Sequence, residues 1–168
     1  MATEVVPVVQ LSGVRIERGG RAILRDASLS VPAGSITAVL GPSGSGKSTL
    51  LAALTGELRP VSGSLQLFGA PIPGSQRALL ELRKRMGVLL QGNGLLSDLD
   101  VFENVALPLR THTDLPDAVI AELVLMKLNA VGLREAGQLE PTQLSGGMAR
   151  RVALARAMVL DPPLMLYD

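Results

Sequence analysis

Eight consecutive residues, Gly41-Pro42-Ser43-Gly44-Ser45-Gly46-Lys47-Ser48, match the spacing G-x-x-x-x-G-K-[ST] at every fixed position. A triphosphate packs several negative charges into a small volume. Glycines let the backbone wrap such a group closely, so that successive N–H groups turn inward on phosphate oxygens. A helix starting near Lys47 adds the positive end of its dipole. The Lys47 ammonium supplies a full charge for the β and γ phosphates, the Ser48 hydroxyl can ligand Mg²⁺, and Thr49 can reach the α phosphate. A Gly/Ser-rich loop can match this pattern by chance, but the flanks argue otherwise. Residues 35–40 read as a buried strand entering the loop, and residues 47–58 as a helix leaving it.

Three further positions have chemistry suited to a nucleotide site. Leu144-Ser145-Gly146-Gly147-Met148 opens a helix, with Ser145 as N-cap and two glycines that permit close approach of a second phosphate. The same residues also serve as an ordinary capped turn before an amphipathic helix. Gln91 is expected to end a strand, where its neutral amide can ligand Mg²⁺, hold water or simply be solvated. Asp168 follows the apolar run Leu164-Met165-Leu166-Tyr167. An acid at the carboxyl end of a parallel strand lies where ligands bind in open α/β sheets, and suits Mg²⁺ directly or through water.

The elements that must position these groups can be read from pattern. Residues 8–11 and 14–17 lean to β structure, Arg18-Gly19-Gly20 signals a turn, and residues 23–31 and 64–68 read as strands. Ser75 is expected to cap a helix through Arg85, with Ala78, Leu79, Leu82 and Met86 on its apolar face, and residues 87–91 to form a strand. Residues 92–144 change character, with helical patterns and no strand. There Asp100 and Glu103 resemble a capping box, and Ile120, Leu123, Val124, Leu128 and Val131 form a stripe that Gly132 ends. Residues 145–160 read as a helix stopped by Asp161-Pro162-Pro163. The reading is an α/β core with a helical insertion: residues 1–91 as the first part of a nucleotide-binding core, 92–144 as a helical subdomain, and 145–168 as a second helix and strand of the core.

Composition narrows the function classes. Hydrophobic residues at 47% and charged residues at 18% describe a folding chain. A net charge of +1 and 2% aromatic residues give neither the field nor the stacking surfaces expected of a nucleic-acid binder. The absence of cysteine excludes disulfides and thiolate metal sites. No signal peptide is expected at the start, and no apolar run reaches the roughly 20 residues of a membrane-spanning helix.

Taken in order, the four motifs resemble the nucleotide-binding subunits of ABC transporters. Residues 41–48 correspond to the Walker A loop, Gln91 to the Q-loop residue, Leu144–Met148 to the signature and Leu164–Asp168 to Walker B. The resemblance runs from about Leu11 to the end of the sequence. Arg83-Lys84-Arg85-Met86-Gly87-Val88-Leu89-Leu90-Gln91, Asp100-Val101-Phe102-Glu103-Asn104-Val105-Ala106-Leu107-Pro108-Leu109 and Leu144-Ser145-Gly146-Gly147-Met148-Ala149-Arg150-Arg151 are similar to the ATPase of Mla-type phospholipid transport systems. The resemblance implies a P-loop NTPase with a RecA-like core, N-terminal antiparallel β strands and a helical ABC-type subdomain, incomplete at its C-terminus. It implies ATP and Mg²⁺ as cofactors, with Lys47, Gln91 and Asp168 as catalytic residues and Ser48, Gln91 and Asp168 at the metal. It implies a homodimer in which the phosphate loop of one copy meets Ser145, Gly146, Gly147 and Met148 of the other. It further implies a transmembrane permease and a lipid-binding protein as partners, and a cytoplasmic location peripheral to the inner face of the cell membrane.

The sequence departs from the family pattern in two places. An adenine-stacking aromatic is replaced, on the best match, by Arg18, whose guanidinium can stack on a base or stand as a solvated turn arginine. The Glu that follows the Walker B Asp in the family, and a later His, have no counterpart before the sequence ends at Asp168. His112 does not match that later position and is expected at the surface. Residues 1–168 are therefore expected to bind nucleotide but turn over little of it, as a fragment of a longer chain. Other readings stay open: an ABC ATPase serving lipoprotein release or cell division, or a non-hydrolysing nucleotide-binding module. Sequencing beyond Asp168 should give Glu-Pro in frame; a stop codon at that point would reject the fragment reading.

Overall fold

The computed structural model describes residues 6–92 and 94–168. The chain divides into two compact units, the first ending at Arg83 and the second Lys84–Asp168.

In the first unit, β1 (Val9–Arg18) lies between β2 (Arg21–Val31) and β3 (Ser62–Leu67), and β3 pairs with the short β4 (Ala70–Pro71); every pairing is antiparallel. The expected strands at 8–11 and 14–17 are one strand. The pairing shifts register between Leu11 and Val14, where Gly13 takes a φ of 59°, so the glycine bends the strand without ending it. Gly19 and Gly20 both have positive φ and join Arg18 to its cross-strand partner Arg21, the geometry that suits a two-residue hairpin between right-twisted strands. Val9, Leu11, Val14 and Ile16 of β1 are buried with Leu65 and Leu67 of β3.

Helix α1 (Lys47–Leu54) is shorter than the expected 47–58, and Gly56 at φ 73° follows it. Helix α2 (Gln76–Arg83) is capped by Ser75, whose Oγ accepts from the Ala78 N–H at 3.3 Å. It lies close to the end of α1: a Cβ on Gly56 would come within 2.5 Å of Leu79, and the Arg83 Nε donates to the Thr55 carbonyl at 2.9 Å.

A buried strand expected in this unit does not form. Residues 35–40 make no ladder, and Ile36 and Leu40 are 103% and 90% exposed. The run is apolar enough for a buried strand, but burial requires a partner. Among the described residues β1, β2, β3 and β4 pair only with one another, and β5 and β6 likewise.

The second unit is built on helices. Strand β5 (Met86–Leu89) pairs in parallel with β6 (Leu164–Tyr167), and between them come α3 (Val101–His112), α4 (Asp117–Ala130) and α5 (Gly146–Met158). No strand forms over residues 94–144, as expected. Val101, Val105 and Leu109 of α3, Ile120, Val124 and Leu128 of α4, and Val152, Ala155 and Val159 at α5 form one core. Asp100 caps α3 by accepting from the Glu103 N–H at 2.7 Å. The other half of the expected capping box is diverted, because the Glu103 carboxylate takes both Nε and Nη2 of Arg110 at 3.0 and 3.1 Å. Arg110 also pairs with Asp117, so it ties α3 to the start of α4; hydrogen bonding to Glu103, then Asp117, holds its guanidinium above the ordinary arginine pKa. Gly132 at φ 69° follows α4, and the Arg151 Nη1 donates to the Val131 carbonyl at 3.0 Å. His112 is exposed, as expected. Among the described residues no helix is long and apolar enough to cross a membrane.

Leu128 is fully buried in this core. Leu128→Ala should lower unfolding stability by about 2–5 kcal/mol, and His112→Ala by less than about 0.5 kcal/mol, in urea titrations followed by circular dichroism.

Candidate functional site

The loop at residues 41–46 is shaped by two glycines in left-handed backbone, Gly44 at φ 78° and Gly46 at φ 98°. Their surroundings differ. A Cβ on Gly46 would stand 2.8 Å from the Leu24 side chain and 3.1 Å from that of Ile23, both on β2, so this glycine lets the loop lie against the sheet. A Cβ on Gly44 would meet nothing within 4 Å, which leaves the loop's outer side open. The Ser45 N–H donates to the Pro42 carbonyl at 3.2 Å and closes the turn.

Gly46 is the N-cap of α1, and no side chain caps this helix start. The starts of α3 and α5 recruit Asp100 and Ser145 for that purpose, whereas α4 begins after Pro116 with no side-chain cap and with the acidic Asp117 where α1 has Lys47. An uncapped start leaves first-turn N–H groups for an external acceptor and keeps the positive dipole end exposed. Lys47 adds its charge here. Its Nζ donates to the Gly41 and Pro42 carbonyls at 2.8 and 2.9 Å and approaches Ser45 Oγ at 3.5 Å. The ammonium is thus folded over the loop and held by neutral oxygens, which an anionic oxygen would outcompete because it adds the attraction of a full opposite charge. Ser48 is exposed in the first turn of α1, and Thr49 is 8% exposed behind it. Pro42, Ser43 and Ser45 are exposed along the loop. Arg18 is exposed at the end of β1, beside the hairpin turn. This shape and charge fit a polyphosphate, and the Ser48 hydroxyl is a hard oxygen donor of the type Mg²⁺ takes beside phosphate oxygens.

The second unit carries the other expected positions. Ser145 is the N-cap of α5, with its Oγ accepting from the Met148 N–H at 3.2 Å. Gly146 and Gly147 are exposed, and a Cβ on either would meet nothing within 4 Å; Met148 is half-buried against the helical core. The helix start is therefore open to an approaching surface. Gln91 does not end β5: the strand stops at Leu89, and Gln91 lies exposed two residues on, before Gly92 at φ 90°. Asp168 follows β6, and its N–H donates to the Leu89 carbonyl at 2.9 Å while its own carbonyl accepts from Arg150 Nη2 at 3.5 Å. Because β5 and β6 are parallel with Leu89 opposite Tyr167, Gln91 and Asp168 emerge from the same carboxyl edge.

The sequence reading missed Asn104. It is fully buried at the start of α3 and makes hydrogen bonds to Leu96, Leu99 and Asp100. The available signal was an amide one turn after the Asp100 cap, inside an otherwise apolar helix face.

Residues 24–168 match the sequence family described as ABC transporter. The chain is 48% identical over 169 residues to the intermembrane phospholipid transport system ATP-binding protein MlaF of Escherichia coli (strain K12), covering 100% of this chain and 63% of that relative. The chain thus spans less than two thirds of that protein's length. Among solved structures, CbiO1 of Clostridium perfringens, part of the ABC transporter complex cbiONQ, superposes with a TM-score of 0.88 at 27% identity, over 96% of this chain and 65% of that one. The ATP-binding cassette MJ0796, solved as a dimer in a post-hydrolysis state with ADP and Pi, superposes with a TM-score of 0.86 at 30% identity, over 95% of this chain and 73% of that one.

Gly44→Ala should weaken nucleotide binding about fivefold through backbone strain of about 1 kcal/mol, and Gly46→Ala should weaken it further, since its Cβ must also displace the Leu24 and Ile23 side chains. Isothermal titration with ATP distinguishes the two; equal affinities for both variants would contradict the packing argument.

Proposed function

The chain belongs to the ABC transporter family and has the P-loop NTPase fold of its cassettes, and on that premise we propose that it is the ATP-binding, energy-coupling part of a phospholipid transporter. The observation that carries nucleotide binding is the start of α1: an uncapped glycine N-cap beside the Lys47 ammonium, under a loop with an open outer side. In the proposed complex Lys47 leaves the Gly41 and Pro42 carbonyls and moves to the β and γ phosphates. The backbone N–H groups of residues 43–48 hold the remaining phosphate oxygens, and Thr49 supports the α phosphate. Arg18 is the proposed contact to the base.

Mg²⁺ is assigned to the Ser48 hydroxyl of the first unit; Gln91 and Asp168 are proposed oxygen donors at the carboxyl edge of the second unit's β5–β6 pair. When bound, the ion neutralises charge that develops on the transferring phosphoryl group. A second copy of the chain is proposed to supply Ser145, Gly146, Gly147 and Met148 against the nucleotide, in keeping with the open start of α5 and with the dimer that MJ0796 forms. Phosphoryl transfer depends on placing positive charge and N–H donors around the moving phosphate, and these residues provide both.

The cargo assignment rests on similarity to MlaF, whose name specifies intermembrane phospholipid transport. The chain would then act at the inner face of the membrane through a transmembrane permease, with a lipid-binding protein as a further partner. The segment after Gln91 is the proposed permease contact. Its Leu96 is 47% exposed, whereas Leu95 and Phe102 pack against the helical core.

Lys47→Ala should raise the ATP dissociation constant about a hundredfold in isothermal titration, because a charge-assisted contact worth about 3 kcal/mol is lost. Unchanged affinity would refute the phosphate site.

A further inference from the structure

Among the described residues, Asn104 is a polar side chain with no exposed surface, and its amide is fully used. Oδ1 accepts from the Leu96 N–H at 2.9 Å and, more weakly, from Arg156 Nη1 at 3.4 Å. The two Nδ2 hydrogens are shared among the carbonyls of Leu96, Leu99 and Asp100, at 3.0, 2.9 and 2.9 Å from the nitrogen. Every partner on the oxygen side is a donor and every partner on the nitrogen side an acceptor, which fixes the amide's orientation. Residues 94–100 have no ladder of their own. The Asn104 side chain gives Leu96 the pair of bonds that a neighbouring strand would give.

Arg156 reaches the same place from the far end of α5. One nitrogen faces Asn104, and the other lies 3.4 Å from where a Cβ on Gly94 would stand. The guanidinium therefore lies under the segment that Asn104 holds. Burial lowers its pKa, so its position carries a desolvation cost. Helix α5 is continuous over 13 residues, about 20 Å, from Gly146 to Met158, and packs on α3 and α4 through Val152 and Ala155. A displacement imposed near Arg156 therefore moves the helix as a rod, including its open start at Ser145.

We propose that Asn104 and Arg156 are positioning residues that latch residues 94–100 to α5, so that permease contact at Leu96 is transmitted to the Ser145–Gly147 helix start. This inference rests on the transporter reading for its permease. The latch itself is a property of this chain.

The test uses the complete protein assembled with its permease in lipid nanodiscs, compared with the permease-free protein. Arg156→Met should lower permease-stimulated ATP turnover about tenfold while permease-free turnover and ATP affinity stay within about twofold, and Arg156→Lys should restore most of the stimulation. Parallel loss of both rates, or no loss of stimulation, overturns the coupling role. Amide hydrogen exchange provides a readout independent of the permease. The Leu96 amide should be protected in the wild type and should exchange faster in Arg156→Met and Asn104→Asp, with the α3 core unchanged. Fast Leu96 exchange in the wild type, or unaltered exchange in both variants, overturns the latch. If the wild type shows no response to the permease, the transporter reading falls and the coupling role with it, and Leu96 exchange alone then judges the latch.

Discussion

The chemistry of this chain depends on a helix that starts with positive charge and no capping side chain. At Gly46 the backbone turns through φ 98° directly into α1, and Lys47 is the first residue of that helix. Dipole and ammonium point the same way, and among the described residues neutral oxygens of Gly41, Pro42 and Ser45 hold the charge in place. Such an arrangement is stable because the two carbonyl bonds are short. It is also exchangeable, because an anionic oxygen makes a stronger bond to every donor involved. Close packing of Gly46 on Ile23 and Leu24 fixes the loop from behind, and the open space over Gly44 leaves its front accessible.

The starts of α3 and α5 solve the same problem with side-chain caps of different charge. At α3 the Asp100 carboxylate is itself the anion, and the turn is closed. At α5 the Ser145 hydroxyl satisfies one N–H, while Gly146 and Gly147 keep the surface flat and open. A neutral cap with two unobstructed glycines holds the helix end in order without occupying it.

In the second unit, stiffness comes from an apolar core that is pinned at its edges by charge. Val101, Val105, Val124, Leu128 and Val152 are fully buried, so α3, α4 and α5 pack as one body. Arg110 ties α3 to α4 through Glu103 and Asp117, Lys127 pairs with Asp161 beyond α5, and Arg151 takes the Val131 carbonyl after α4. The exposed pairs add little stability individually. Their effect is geometric, since each restricts how one helix can slide on another. Asn104 extends this restraint to a segment with no regular structure.

Features satisfied within a few residues could be read directly from the sequence. The glycine turns of the 41–46 loop, the Ser75, Asp100 and Ser145 caps, the turn at Gly19-Gly20 and the stop at Gly132 depend on φ preferences and short-range hydrogen bonds, which residue type and spacing encode. Features that need a distant partner were decided by tertiary structure. Residues 35–40 have the composition of a buried strand and lie exposed, because a ladder belongs to two segments and composition to one. Residues 8–11 and 14–17 read as two strands and form one, because cross-strand pairing carries β1 past Gly13. Asn104 reads as an ordinary polar helix residue, and its role follows from carbonyls up to eight residues back and a guanidinium 52 residues ahead. A buried amide costs free energy until its partners are present, and only the folded chain brings them together.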